Sequence, residues 1–178
     1  IAAMRAQLEE SLRGGALGLS SGLAYRSANS ASTDEVLALA EPLAVAGAVY
    51  ATHMRTETEK ILDAMSEAFL IGRMNHVPVI VSHLKCAGIA NWGRSGEVLQ
   101  ALEAAQRTQE AGCDCYPYAA GSSTLDLMQV DERVKITITW STPQPEVAGQ
   151  TLAQIAEQWG ISQLDAARKL QPAGAIYH

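Results

Sequence analysis

The sequence is poor in aromatic residues, which make up 5% of its 178 positions and include one phenylalanine. Apolar residues still account for 48% of the chain, mainly as alanine, leucine and valine. This composition favours helices and buried strands over a sandwich of short β-hairpins. No apolar run reaches the roughly 18 residues that a transmembrane helix needs. The first residues also lack the charged-then-apolar pattern of a secretory signal.

Positive charge is scarce as well, since the net charge is −6 and no Lys/Arg cluster occurs. We therefore expect neither nucleic acid nor membranes as partners. Cysteine is limited to Cys86, Cys113 and Cys115, an odd number that predicts a reducing, cytoplasmic location rather than a disulfide framework. The closely spaced pair Cys113 and Cys115 is expected to be buried and structural.

Hydrophobic periodicity predicts alternating strands and helices along the first two thirds of the chain. Strands are expected at 16–20, 48–53, 77–83 and 113–118, and helices at 2–13, 34–46, 57–73 and 96–112. The run "VPVIVSH" is typical of a strand buried on both faces. Alternation of this kind gives an α/β fold with a parallel sheet and right-handed crossovers.

The pattern changes near residue 122, where a strand at 135–140 and helices at 150–159 and 162–170 follow. We interpret 1–178 as one domain, with βα units over 1–121 and an elaboration over 122–178 that lacks its own core. Both chain ends fall within predicted elements, so we expect an internal piece of a longer protein.

The segment "GLSSG" contains the G-x-S-x-G pattern of a nucleophile elbow, centred on Ser20. An elbow needs a helix directly after the serine, yet a polar loop, "LAYRSANSA", follows it here. No partner base is evident either. A strand end made of small residues explains the motif better than a serine nucleophile.

Two histidines stand at matching places, His53 at the end of "AVYATH" and His83 at the end of "VPVIVSH". The carboxyl ends of neighbouring parallel strands meet at one edge, where active sites of such folds lie. Two imidazoles that converge there can bind a divalent metal such as zinc. Alternatively, each histidine could bond a backbone carbonyl at its strand end.

Further polar residues follow the same strand ends, among them Lys85, Tyr116 and Ser122. Such residues can hold a carboxylate through charged and neutral hydrogen bonds, or they are solvated loop residues. Asp63 and Glu67, at helical spacing, are expected on a solvated helix face rather than in a catalytic pair.

His76, in the loop before the third strand, is expected to be structural or exposed. The sequence assigns no role to His178 or to Cys86.

The segments "THMR", "VSHLKCAGIANWGRS" and "GCDCYPYAAGSSTL" identify a family resemblance. Over essentially its whole length, the chain resembles the N-acyl-D-amino-acid deacylases, or D-aminoacylases, of the amidohydrolase superfamily. Within the family, the type that hydrolyses N-acyl-D-glutamate is at least as similar as the broad-specificity type. The resemblance implies a (β/α)8 TIM-type barrel, of which this chain covers about strands four to seven.

The resemblance also assigns roles to residues. It implies that His53 and His83 are metal ligands on strands five and six, and that Lys85, Tyr116 and Ser122 surround the substrate carboxylate. The third zinc ligand is expected to be a cysteine on an earlier strand, distinct from the three present here. The H-x-H pair of the first strand and the general-base aspartate after the last strand are absent from this chain.

The implied function is zinc-dependent hydrolysis of the amide bond of N-acyl-D-amino acids, with one or two zinc sites in the whole enzyme. We expect this chain alone to be inactive and able to self-associate through its open strand edges. Alternatives are another C–N hydrolase of the superfamily, or a non-catalytic barrel piece. A dinucleotide-binding domain is disfavoured because no G-x-G-x-x-G follows the first strand.

Overall fold

The computed structural model describes residues 1–178 and divides them into two compact units, 1–116 and 117–178. The first unit contains a four-stranded sheet whose order follows the chain, β1-β2-β3-β4. The strands are β1 (Gly18–Gly22), β2 (Val49–His53), β3 (Val79–Val81) and β4 (Ala111–Cys113). Every neighbouring pair is parallel, which confirms the predicted α/β fold with a parallel sheet.

Helices connect the parallel strands, as crossover connections require. They are α2 (Thr33–Ala40), α3 (Pro42–Ala46), α4 (Ile61–Asn75) and α5 (Ser95–Gln106), and α1 (Ala2–Arg13) precedes β1. The single helix predicted at 34–46 is two helices, because Pro42 lacks a backbone N–H and starts a new one. Ser32 caps α2 by accepting a hydrogen bond from the Glu35 backbone N–H at 3.1 Å.

The sheet of the first unit is covered on one face. Tyr50, Val79 and Val81 are at most 1% exposed and pack with α4 residues such as Met65 in one apolar cluster. Ile80, which points to the other face, is 36% exposed. The prediction that this strand is buried on both faces was therefore wrong within this unit.

The second unit has its own sheet and its own core. Its antiparallel order β5-β7-β6 joins β5 (Gly121–Thr124), β6 (Ile136–Ser141) and β7 (Ala173–Tyr177), with α6 (Leu152–Trp159) and α7 (Gln163–Leu170). Ile138, Leu152, Ile155 and Leu170 are fully buried in a separate cluster. The expectation that this segment lacks a core was wrong, because the amphipathic helices bury their apolar faces within the unit. None of the chain's helices is long and apolar enough to span a membrane.

Contact between α4 and β3 depends on a glycine. A Cβ added at Gly72 would overlap the Val79 Cγ2 atom, and Val79 is 1% exposed in the core. We predict that Gly72→Ala lowers the free energy of unfolding by about 1–3 kcal/mol, because overpacking must displace the helix or the strand. Chemical denaturation measures this loss.

Gly96, in the first turn of α5, is the matched control, since an added Cβ there meets nothing within 4 Å. Gly96→Ala should be neutral or slightly stabilising, because alanine has the higher helix propensity. Equal stability of the two variants would contradict the packing role of Gly72.

Candidate metal centre

The structure brings the two predicted histidines together at the carboxyl edge of the first sheet. The His53 Nδ1 atom lies 3.0 Å from the His83 Nε2 atom, and the ring centroids are 4.5 Å apart at an angle of 71°. Two nitrogens bound at about 2.0–2.1 Å to one tetrahedral zinc would lie about 3.3 Å apart. The pair therefore has a separation close to the one needed to share a cation, and this separation also allows a hydrogen bond between the two rings.

The position of His83 depends on a backbone turn rather than on a continuing strand. β3 ends at Val81, and His83 has a left-handed φ of 40°. The Asp114 side chain accepts a hydrogen bond from the His83 backbone N–H at 2.6 Å, and the Asp114 carbonyl accepts from Leu84 at 2.8 Å. A non-glycine residue in this conformation costs roughly 1–3 kcal/mol, which such contacts offset. The strained residue is thus a candidate metal ligand, and its turn directs the imidazole toward His53.

Glu57 is a member of the site that sequence reasoning missed. Its Oε1 atom lies 3.1 Å from His83 Nδ1 and 2.5 Å from Lys85 Nζ, and its side chain is 10% exposed. The predicted helix began at Glu57, whereas α4 begins at Ile61, so Glu57 lies in a loop that turns back to the strand ends. An acidic residue four positions after a strand-end histidine was the available signal.

His53, Glu57 and His83 each offer one ligand atom, and these atoms lie within 4.8 Å of one another. Nitrogen and carboxylate donors of this kind suit zinc. Burial lowers the pKa of His53, the Glu57 charge opposes this effect, and His83 and Lys85 add to it. His53 is therefore neutral near neutral pH, which is the form that binds a metal. The residues present fit a zinc ion.

Lys85 and Tyr116, predicted to bind substrate, lie beside the histidine pair. The Lys85 ammonium donates to Glu57 and to the His83 carbonyl at 2.9 Å, and it lies 5.7 Å from the Tyr116 ring centroid. Burial raises the pKa of the half-buried Tyr116, with a smaller contribution from Glu57. Ser122 lies in the second unit, exposed on β5, and its role stays a prediction.

An open cleft of about 490 Å³ leads to the histidines and is lined by residues of β1 and the loop after it. The Tyr25 ring centroid lies 4.9 Å from that of His53. Ser20 also lines the cleft, but it lies within β1 opposite Ala51 rather than on a turn. Since the next helix begins only at Thr33, Ser20 lacks the geometry of a nucleophile elbow.

A half-buried ion pair holds the loop that lines this cleft. Arg55 donates to both carboxylate oxygens of Glu67, at 2.9 and 2.7 Å, and to the carbonyls of Asn29 and Ala31, at 2.8 and 2.9 Å. The Glu67 side chain is 11% exposed. The expectation that Glu67 lies on a solvated face was therefore wrong, because Arg55 pulls it against the loop.

The remaining histidines lie in ordinary surroundings. His76 is exposed and caps the end of α4 in a left-handed conformation with a φ of 54°, as expected of a structural or exposed residue. His178 hydrogen-bonds the Thr137 hydroxyl at 3.1 Å within the second unit.

The cysteines are free thiols in different surroundings. Cys86 is half-buried against the first core, and burial raises its thiol pKa. Cys113 and Cys115 are exposed, so the prediction that they are buried was wrong. The reason is that β4 is the last strand of its sheet and ends at Cys113. The cytoplasmic location stays a prediction.

The Arg55–Glu67 pair predicts a pH-dependent stability. Burial acts to raise the pKa of Glu67, but hydrogen bonds from Arg55 and Thr33 outweigh it and lower that pKa. A depressed folded-state pKa stabilises the fold above the unfolded value of about 4.3, and this contribution disappears as the pH falls through the folded value. We expect Glu67→Gln to cost about 1–3 kcal/mol at pH 7.

The difference between wild type and Glu67→Gln should shrink below about pH 4, as urea denaturation at several pH values would show. Glu103→Gln, on the exposed side of α5, is the control and should change stability little at any pH. A cost for Glu67→Gln that stays constant down to pH 3 would contradict the assignment.

No protein-family model matches the chain, but individual proteins do. The D-aminoacylase, N-acyl-D-aspartate deacylase and N-acyl-D-glutamate deacylase of Alcaligenes xylosoxydans xylosoxydans are 46%, 44% and 40% identical to it. Each match covers 98–99% of this chain but only 36–37% of the relative. The chain thus spans little more than a third of the length of these relatives.

Solved structures give the same result. One match is the crystal structure of a D-aminoacylase that defines a novel subset of amidohydrolases. Its TM-score is 0.93 at 46% identity, over 99% of this chain and 37% of that one. The N-acyl-D-glutamate deacylase of Bordetella bronchiseptica, solved with zinc and a phosphonate mimic of the tetrahedral intermediate, matches with a TM-score of 0.93 at 40% identity and the same coverage. Across nearly its whole length, this chain is homologous to an internal segment of the D-aminoacylase family of amidohydrolases.

Proposed function

We propose that this chain is part of a zinc-dependent amidohydrolase that cleaves N-acyl-D-amino acids to a carboxylate and a free D-amino acid. The observation that carries the proposal is the 3.0 Å approach of His53 Nδ1 to His83 Nε2 at the edge of a parallel sheet. The 40–46% identity to three N-acyl-D-amino-acid deacylases supports the substrate class. One of the similar structures comes from work on the functional role of the binuclear metal centre in D-aminoacylase.

In this proposal, His53 and His83 hold the cation through the two nitrogens that face each other. Zinc, when bound, polarises the amide carbonyl and lowers the pKa of water to near neutrality. The low pKa of His53 keeps its nitrogen available as a ligand at neutral pH. The chain holds no residue that we assign as general base, and we expect an aspartate elsewhere in the enzyme to move the proton.

Lys85 would bind the carboxylate of the amino-acid product. An ammonium has three N–H donors, and Glu57 and the His83 carbonyl accept two of them. The ammonium also lies 2.9 Å from His83 Nδ1, which accepts no hydrogen bond when it carries the ring proton. In that tautomer the third donor is available to a substrate carboxylate, and the Tyr116 ring borders the same ammonium. A fixed carboxylate would, together with the metal, orient the scissile amide. The part proposed for Ser122 in this contact rests on the family resemblance alone.

The side chain that the enzyme prefers is a separate question. Identity is 46% to the D-aminoacylase and 40% to the N-acyl-D-glutamate deacylase, so it does not favour the glutamate type. We therefore propose N-acyl-D-amino acids as a class. Another C–N hydrolase of the superfamily is the alternative, and a substrate panel separates the two.

The decisive test is an assay of the full-length enzyme with N-acetyl-D- and N-acetyl-L-amino acids. We expect hydrolysis of the D-enantiomers, inhibition by a metal chelator and restoration by zinc. A serine-directed covalent inhibitor should have no effect, because Ser20 does not lie on an elbow. Activity that survives chelation but not the serine reagent would overturn the proposal.

A single substitution tests the metal ligands directly. We predict that His83→Ala in the full-length enzyme abolishes tight zinc retention, because one of the two facing nitrogens is lost. Metal analysis after dialysis measures the retained zinc. His76→Asn is the control, since His76 is an exposed helix cap and asparagine tolerates its left-handed backbone. Normal zinc content in His83→Ala would refute the assignment.

A further inference from the structure

We propose that Glu57 is a positioning residue that fixes both the metal ligand His83 and the substrate-binding Lys85 through a single carboxylate oxygen. The inference rests on the function proposed above and adds to it a residue with no assigned role. The Glu57 Oε1 atom lies 3.1 Å from His83 Nδ1 and 2.5 Å from Lys85 Nζ. Loss of this oxygen would therefore disturb the metal ligand and the substrate anchor together.

Glu57 acts first on the position of the proton on the His83 ring. Since Nε2 faces His53 and would bind the metal, a neutral ring must carry its proton on Nδ1. Two groups reach Nδ1, namely Glu57 Oε1 at 3.1 Å and Lys85 Nζ at 2.9 Å. A carboxylate only accepts hydrogen bonds and favours the proton on Nδ1, whereas an ammonium only donates and favours it on Nε2. Glu57 thus favours the tautomer that can bind the metal, and Lys85 opposes it.

Glu57 also determines which acceptors the Lys85 ammonium contacts. This ammonium has two acceptors other than the His83 ring, the Glu57 carboxylate and the His83 carbonyl. Lys85 Nζ also lies 2.9 Å from His83 Nδ1, so Glu57 and the ring compete for the same ammonium. Without Glu57, the nearest side-chain acceptor for Lys85 would be His83 Nδ1, and the metal-binding tautomer would be lost. Once Glu57 is removed, Lys85 therefore competes with the metal, because its donation to Nδ1 places the ring proton on Nε2.

Glu57 is placed to orient the ligand rather than to bind the metal itself. The oxygen that contacts His83 approaches Nδ1, while Nε2 is the nitrogen that faces His53. The same oxygen is paired with an ammonium, which a metal ligand would have to give up. Carboxylates in this position fix ring orientation, and their loss costs about 10–100-fold in metal affinity or activity.

The loop that carries Glu57 is held in place from the far side of the site. The Glu57 carbonyl accepts a hydrogen bond from the Ala87 backbone N–H at 2.8 Å. The hydroxyls of Thr56 and Thr58, on either side, bond each other at 2.8 Å. The side chain is 10% exposed, so neighbouring atoms limit its rotamers. These contacts fix the carboxylate before any metal binds.

Chelator competition in the full-length enzyme measures the predicted effect on zinc affinity. We expect Glu57→Ala to weaken zinc binding by about 10–100-fold, and Glu57→Gln to lose less, because its amide oxygen still accepts a hydrogen bond. Lys85→Met should keep zinc affinity within about threefold of wild type while KM rises, since Glu57 still accepts from His83. Glu59→Ala, at an exposed side chain two positions away, is the matched control and should change neither quantity.

The double variant Glu57→Ala/Lys85→Met separates positioning from a merely structural role. Removing the competing donor should return part of the zinc affinity that Glu57→Ala loses. At saturating Co²⁺, the absorption spectrum of Glu57→Ala should match that of wild type, because the metal ligands are unchanged. Three results would each overturn the proposal: wild-type zinc affinity in Glu57→Ala, no recovery in the double variant, or an altered cobalt spectrum.

Failure of the proposed function gives a different result. In that case the wild-type full-length enzyme itself would bind no zinc or hydrolyse no N-acyl-D-amino acid. Failure of the Glu57 proposal leaves wild type active and zinc-bound. If Glu57→Ala does not fold, as circular dichroism would show, Glu57→Gln and its double variant with Lys85→Met carry the same comparison.

Discussion

The parallel register of β2 and β3 is the constraint on which the candidate site depends. Thr52 pairs with Val81, so the residues that follow both strands emerge at one edge of the sheet. His53 completes β2, and a left-handed turn at His83 brings its ring back to within 3.0 Å of its partner. A straight continuation of β3 would have carried His83 onward along the strand. The register therefore determines the sheet edge at which the two histidines lie, and the turn at His83 determines the distance between their rings.

Charge at this edge is arranged around one carboxylate. The pKa of His53 is lowered mainly by burial, and the Glu57 charge limits that effect while the Lys85 charge adds to it. A cation bound at His53 would thus meet a neutral imidazole, and the Glu57 carboxylate beside it is already paired with an ammonium. Zinc held by His53 and His83 would supply the charge that activates water or polarises a carbonyl.

Sequence patterns located most elements because each depends on local periodicity. The same patterns placed His53 and His83 at strand ends, but they failed where tertiary contacts decide the outcome. Glu57 was hidden inside a predicted helix, since helix propensity does not register a carboxylate drawn to a distant lysine. Glu67 looked solvated because a helical wheel cannot show that Arg55 reaches over it. The core of the second unit was missed because it forms only when the apolar faces of α6 and α7 and of the strands come together, and the periodicity of single elements does not show that packing.

The connection between β2 and α4 organises the surroundings of the site through alternate residues. His53 faces the candidate metal position, Arg55 binds carbonyls of the loop after β1, and Glu57 reaches the segment after β3. One short segment thus ties together three strand ends, each through a different kind of contact. A shift in this segment would move the metal ligand, the wall of the cleft and the substrate anchor at once. The geometry of the site is therefore set by this loop as much as by the sheet. The two histidines at strand ends locate the site in the sequence, but the contacts of the loop cannot be derived from them.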